Sequence, residues 1–244
     1  MAASLNTRAL ILSIVILVAV LGVWELATPG AKSVGQLTEY ELLSGDKGIG
    51  IQIGYSLYRV LAGYFLAALI AIPVGFLIGM SPLMYRALDP FIQVLRPISP
   101  LAWMPLALFV IKDSQASAIF VIFICSIWPM LINTAFGVAN VRKDWVNVAR
   151  THELGAFRTA FQVILPAAAP TIVTGMRISI GIAWLVIVAA EMLVGGTGIG
   201  YYVWNEWNNL DLTSVIFSIV VIGVVGMLLD AAFARVQIAV RYQE

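Results

Sequence analysis

Two stretches of this sequence, residues 60–80 and 114–141, contain no Asp, Glu, Lys or Arg. A helix needs roughly 20 residues to cross a hydrocarbon core of about 30 Å. Inside lipid a backbone must satisfy its own hydrogen bonds, so single apolar runs of this length fold as helices. Four further runs join them. Residues 9–26 are interrupted only by Glu25, 166–190 only by Arg177, and 212–229 run uncharged up to Asp230. Residues 97–111 are short, but long enough if their helix begins near Asp89. The pattern predicts an all-α integral membrane protein of about six transmembrane helices in one domain spanning 1–244. The spans fall at about 9–27, 57–80, 89–111, 115–140, 166–191 and 212–235. Composition agrees: 61% of residues are hydrophobic and 11% charged, against roughly 25% charged in a soluble domain.

Charge placement orients the spans. With the N-terminus inside, Arg8, Arg86, Arg142, Lys143, Arg150, Arg158, Arg235 and Arg241 fall on the cytoplasmic side. Lys32, Lys47 and Lys112 fall outside, with Arg59 at a helix mouth. Lys and Arg enrichment marks the cytoplasm, so both termini are expected there. The first run is longer than a secretory h-region and no A-x-A-type cleavage site follows it, so it reads as a retained anchor. Residues 28–54 are rich in glycine and charge and read as an external loop. The string GGTGIG at 195–200 has the glycine density of a phosphate-binding loop, but it follows a membrane span rather than a strand and reads as a turn. Residues 141–165 form one long amphipathic element, with Trp145, Val148, Ala149 and Phe161 among Arg150, Glu153 and Arg158. It suits a helix lying on the membrane surface and a docking helix for a cytoplasmic partner equally well.

Some chemistry is missing. A P-loop needs Gly-Lys followed by Ser or Thr, whereas the four lysines follow Ala, Asp, Ile and Arg. One histidine, His152, and one cysteine, Cys125, support neither a triad nor a His- or Cys-based metal site. The net charge of +1 suggests no nucleic-acid partner. The chain is therefore expected to be no enzyme. Its transport cycle is driven by another subunit, or it is a passive channel or an ion-driven carrier.

Two charges lie within spans. Arg96 opens the run RPISPLAWMP, whose Pro97, Pro100 and Pro105 free backbone carbonyls and kink a helix. It either snorkels to the cytoplasmic surface or faces a polar interior. Arg177, about 16 Å from Pro166 along a helix, falls near the middle of its span. Glu191 lies about 21 Å further along the same helix, out of reach. Arg177 must meet a carbonyl, a water-filled cavity, an acid on another helix or an anion, so packing and anion contact both remain open. Ser99, Thr174 and Ser179 are neutral donors near these charges, and Trp103 accompanies Arg96.

The stretch NVARTHELGAFRTAFQVILPAAAPTIVTGMRISIGIAWLVIVAAEMLVGGTGIG resembles the permease subunits of ATP-binding-cassette importers, in the nitrate/sulfonate/taurine branch. Their signature is Glu-Ala-Ala, three residues, Gly, nine residues, Ile, any residue, Leu-Pro. Leu165 and Pro166 match, Val163 takes the Ile position and Ala149 the second Ala. Asn147 and Val148 replace Glu and Ala, Glu153 holds the Gly position, and a Leu-Gly-Ala occurs two residues later at 154–156. The resemblance covers about 50–229. DKGIGIQIGYSLYRVLAGY, LRPISPLAWMPLA, SAIFVIFICSIWPMLINTAFGV and TGMRISIGIAWLVIVAAEM look like the nitrate subgroup.

That resemblance implies a type I importer permease fold with a cytoplasmic coupling helix, at 142–163, in the bacterial inner membrane. It implies docking of two ATPase subunits through Asn147, Ala149, Arg150, Glu153, Leu154, Gly155, Ala156 and Phe157. It also implies a second permease copy as a homodimer and an extracytoplasmic substrate-binding protein. ATP and Mg would sit on the ATPases and no cofactor or metal on this chain. The cargo would be a small anion, nitrate or nitrite, with bicarbonate and cyanate as the alternatives. Arg96, Ser99, Trp103, Thr174, Arg177 and Ser179 are the candidates for its path. An embedded enzyme fits least, for want of intramembrane histidine or paired carboxylates.

Overall fold

The structure, a computed structural model, describes residues 48–240 and Val15. The span expected at 9–27, Val15 apart, and residues 28–47 of the loop lie outside the described residues. Helix α1 (Ile49–Met80) begins directly after Gly48, so the end of the expected external loop, 49–54, is helical. Its glycines suggested a loop, but one face of the helix is pinned by packing. Ile49, Gln52, Ser56, Arg59, Gly63, Ala67, Ala71, Gly75 and Ile78 form a buried stripe at helical spacing. Tertiary contact overrides the weak helix preference of Gly50 and Gly54.

The expected single helix over 89–111 is instead two. Helices α2 (Pro82–Leu95) and α3 (Pro100–Ile111) meet at 90°. Pro100 excludes the preceding residue from helical geometry, and Ser99 takes φ −56°, ψ 132°. Neither half alone reaches the roughly 20 residues a span needs. Asp113 then starts α4 (Ser114–Ala139), its carboxylate accepting from the Ala116 N–H at 2.6 Å.

Helix α4 is the spine of the bundle. It packs parallel to α1 through glycines: a Cβ on Gly63, Gly75 or Gly79 would sit 2.7, 2.7 and 2.6 Å from the carbonyl oxygens of Ile119, Leu131 and Ala135. Backbones that close leave no room for a side chain, the usual way helices associate without a hydrophobic drive. On its other flank α4 meets α7 (Leu165–Val194) antiparallel. Gly175 abuts Asn133 and the Pro129 carbonyl, and Gly137 abuts Thr171.

The segment between α4 and α7 breaks where one amphipathic element was expected. Helix α5 (Lys143–Thr151) ends in a turn in which Glu153 has φ 52° and the Leu154 N–H bonds the Ala149 carbonyl at 3.1 Å. A short helix, α6 (Ala156–Thr159), follows and widens into a π turn over Ala160–Ile164 that leads into α7. Pro166 offers no N–H and crowds the carbonyl four residues back, which here belongs to the widened turn. After α7, Gly195, Gly196 and Gly198 all have positive φ, giving the tight turn expected from the sequence. Helices α8 (Ile199–Asn208) and α9 (Leu212–Val240) complete the chain.

Among the described residues four helical stretches are long and apolar enough to cross a membrane, and the bent α2–α3 pair would make a fifth. Large side chains such as Phe65, Leu69, Phe109 and Leu185 stand exposed on their outer faces, more apolar surface than a soluble monomer shows.

Candidate functional site

The first polar cluster joins α1, α7 and α8. Glu191 is 1% exposed and Arg59 7%. Arg59 Nη1 donates to Glu191 Oε1 at 2.7 Å and to the Thr197 carbonyl at 2.6 Å, while Nη2 donates to Thr197 Oγ1 at 2.6 Å. Ser56 Oγ lies 2.9 and 2.8 Å from the two carboxylate oxygens. Three consecutive N–H groups at the start of α8 end on side chains: Gly198 on Gln52 Oε1 at 2.6 Å, Ile199 on Ser56 Oγ at 2.9 Å and Gly200 on Glu191 Oε2 at 3.0 Å. These are donors a helix start leaves without internal partners. Gly198, at φ 114°, has no room for a Cβ because the Glu191 carboxyl group fills that space. Sequence reasoning placed Arg59 at a helix mouth and Glu191 at a span end. It missed their pairing across 132 residues.

The second cluster joins α7 and α9. Arg177 Nε and Nη2 donate to Asp230 Oδ1 and Oδ2 at 2.7 and 2.6 Å, a two-pronged pair. Arg177 Nη1 donates to Gln237 Oε1 at 3.1 Å, and Gln237 Nε2 donates to Thr174 Oγ1 at 2.9 Å. Of the partners open to Arg177, the structure supplies an acid on another helix. Arg177 is about 18 Å from Leu165 and about 26 Å from Val194 along α7. Its side chain is 36% exposed and that of Asp230 54%, so the cluster faces out of this single chain. A cavity of about 510 Å³ beside it is lined by Pro170, Thr171, Thr174, Arg177, Gln237 and Ala234, among others.

Arg96, at the α2–α3 break, lines two cavities, of about 320 and 580 Å³. Trp103, Trp128 and Asn133 share the first, and Tyr85, Asp89 and Gln93 the second. The structure therefore brings Arg96 together with Trp103, and Thr174 with Arg177. Ser99 is exposed at the bend without a side-chain capping bond. Ser179 is fully buried, its hydroxyl donating to the Ser126 carbonyl at 2.7 Å in the α4–α7 seam.

In the segment 142–163, Ala149 is buried, while Trp145, Val148, Phe157 and Phe161 are exposed apolar residues. Phe157 and Phe161 touch with ring centroids 4.5 Å apart and planes tilted by 39°. This surface adjoins a cavity of about 790 Å³ lined by Tyr85, Arg86, Lys143, Arg150, Leu154 and Thr159, among others.

The family model described as binding-protein-dependent transport system inner membrane component matches residues 71–242. The chain belongs to that family. Among curated relatives, the nitrate import permease protein NrtB of Leptolyngbya laminosa is 46% identical over 224 residues, covering 86% of this chain and 80% of its own. That of Synechocystis sp. is 50% identical over 189 residues, 78% of this chain and 69% of its own. The bicarbonate transport system permease protein CmpB of Synechocystis sp. is 45% identical over 193 residues, 79% and 69% respectively. A chain of the MetNI methionine ABC transporter, solved in inward-facing conformations, superposes with a TM-score of 0.69 at 17% identity over 79% of this chain and 96% of its own. It shares the type I importer permease fold.

The permease is thus a multi-pass inner-membrane subunit of an ATP-binding-cassette importer, and its relatives are membrane subunits rather than ATPases. The nonstandard coupling signature gains a physical reading. The position where the family signature has glycine is held by Glu153, whose φ of 52° lies in the left-handed region glycine enters without strain.

Proposed function

We propose that this permease carries nitrate, with nitrite as a further candidate, into the bacterial cytoplasm by alternating access driven by separate ATPase subunits. The observation that carries the reading is the 46–50% identity to nitrate import permeases over 78–86% of the chain. The chemistry is compatible. Arg96 and Arg177 each stand at a cavity wall, and fixed guanidinium groups suit a planar oxyanion through paired N–H donors.

In this reading both termini are cytoplasmic, and α5 and α6 face the cytoplasm. Two identical permeases pair, and each docks one ATPase through Asn147, Ala149, Arg150, Glu153, Leu154, Gly155, Ala156 and Phe157. Exposed Val148 and Phe157 give that surface its apolar contact. An extracytoplasmic binding protein captures the anion, so the membrane path needs only weak sites. Arg96, Ser99, Trp103, Thr174 and Arg177 border the path. Ser179, buried against α4, supports the helix that carries Arg177.

A bicarbonate importer is the second reading, favoured by the 45% identity to bicarbonate permeases. Cells lacking this permease and given it back on a plasmid separate the two. Restored uptake of labelled nitrate, with bicarbonate uptake unchanged, supports nitrate. Restored bicarbonate uptake alone overturns it.

A further inference from the structure

We propose that the cavity beside Arg177 is an anion-binding site on the α5–α6 half of the membrane path, and that Asp230 is a built-in competitor that weakens anion binding there. This deepens the nitrate reading and rests on it for the identity of the anion, though not for the site.

A guanidinium carries five N–H groups. Arg177 commits one on Nε and one on Nη2 to Asp230, and one on Nη1 to Gln237 Oε1. One N–H on Nη1 and one on Nη2 remain uncommitted to Asp230 and Gln237. Gln237 Nε2 gives one N–H to Thr174 Oγ1 and keeps a second. Thr174 cannot itself serve as a donor, because its hydroxyl already donates to the Pro170 carbonyl at 2.8 Å. Its role is positional: it accepts from Gln237 and so fixes which way the amide points.

The cavity matches that donor set. Among the described residues its wall holds Arg177, Gln237, Thr171 and Thr174 and no carboxylate; Asp230 is not part of it. At about 510 Å³ it exceeds many times the share of one water, about 30 Å³, so a small hydrated oxyanion fits. The Arg177–Asp230 pair is not closed off within this chain. With side chains 36% and 54% exposed, the cluster would face hydrocarbon if nothing polar covered it, and charges at that depth face a partner or a watery path.

Asp230 then has a definite effect. It neutralises Arg177 when no anion is present, and its charge repels any anion on the neighbouring edge. Binding stays weak, which a transport step needs for release.

Two variants of the whole importer, purified in nanodiscs without binding protein, test this by equilibrium dialysis with isotope-labelled nitrate. Asp230→Asn keeps the shape and one hydrogen-bond acceptor but removes the charge, and is expected to bind nitrate about tenfold more tightly. Gln237→Glu keeps an acceptor for Arg177 Nη1 but replaces the amide donor with a second negative charge, and is expected to bind about tenfold less tightly. A pair that only holds helices together cannot move affinity in opposite directions. Nitrate affinity within twofold of the parent in both variants, with the complexes intact, overturns the site. If the parent binds neither nitrate nor bicarbonate, the site is likewise overturned. If bicarbonate shows the opposite-signed pattern and nitrate does not bind, the site stands and the nitrate reading fails.

Discussion

Arg59→Met isolates the buried clamp between α1, α7 and α8. Methionine retains much of the aliphatic volume but removes all three guanidinium hydrogen bonds, to Glu191 and to both oxygens of Thr197. Glu191, 1% exposed, keeps Ser56 and the Gly200 N–H as its partners among the described residues. Breaking a buried ion pair by removing one member costs about 3–5 kcal/mol, because the other charge is left uncompensated. The loss falls first on the structure the clamp holds, the 195–198 turn and the start of α8. An opening equilibrium there shifts by about 100-fold for the lower figure. Hydrogen–deuterium exchange of the assembled importer reads this directly at Gly198, Ile199 and Gly200. These amides should exchange about 100-fold faster in Arg59→Met, while amides at the centre of α4 hold their rates. Adding Glu191→Gln removes the stranded charge and should restore part of the protection. Unchanged protection at the three amides in the single variant refutes the reasoning.

Other consequences are equally concrete. Glu153→Gly relieves a left-handed backbone that costs on the order of 1 kcal/mol, so thermal unfolding of the complex should shift upward, with ATPase coupling retained. Gly75→Val drives a branched side chain into a place where even a Cβ sits 2.7 Å from the Leu131 carbonyl and 2.9 Å from Thr134 Cβ. The expected cost of about 3 kcal/mol or more appears as loss of folded protein in membranes by fluorescence-detected size exclusion. Arg177→Ala strands Asp230 and removes the guanidinium, so nitrate transport should fall at least tenfold while the permease still co-purifies with its ATPase. Transport persisting in an assembled, coupled complex removes Arg177 from anion handling.

Much of this was legible in the residues because lipid imposes a simple rule on long apolar runs. The runs at 114–141 and 166–190 became α4 and α7 with ends shifted by at most four residues, and the run at 212–229 became α9, which continues past Asp230 to Val240. The glycines at 195–198 signalled a turn, and positive φ at three of them supplies the reason. Arg177 announced its need for a partner, yet nothing local named Asp230, 53 residues away. Arg59 and Glu191 were less visible still. Each stood at the end of an apolar run, where a charge ordinarily meets water, and only the α1–α7 crossing makes them a buried pair. The prolines at 97 and 100 announced an irregularity but not a right angle. Glycines at 48, 50 and 54 pointed to a loop because composition does not register the face that α1 buries. Glu153 was visible only as a mismatch to a family signature, and its backbone angle turned the mismatch into a physical statement.

ATP-driven nitrate import can be read from ATP hydrolysis in liposomes holding this permease, its ATPase and a nitrate-binding protein. Nitrate should stimulate hydrolysis, bicarbonate should not, and nitrate should accumulate only when ATP is supplied. Nitrate flux that continues unchanged when the ATPase is left out would contradict ATP-driven import.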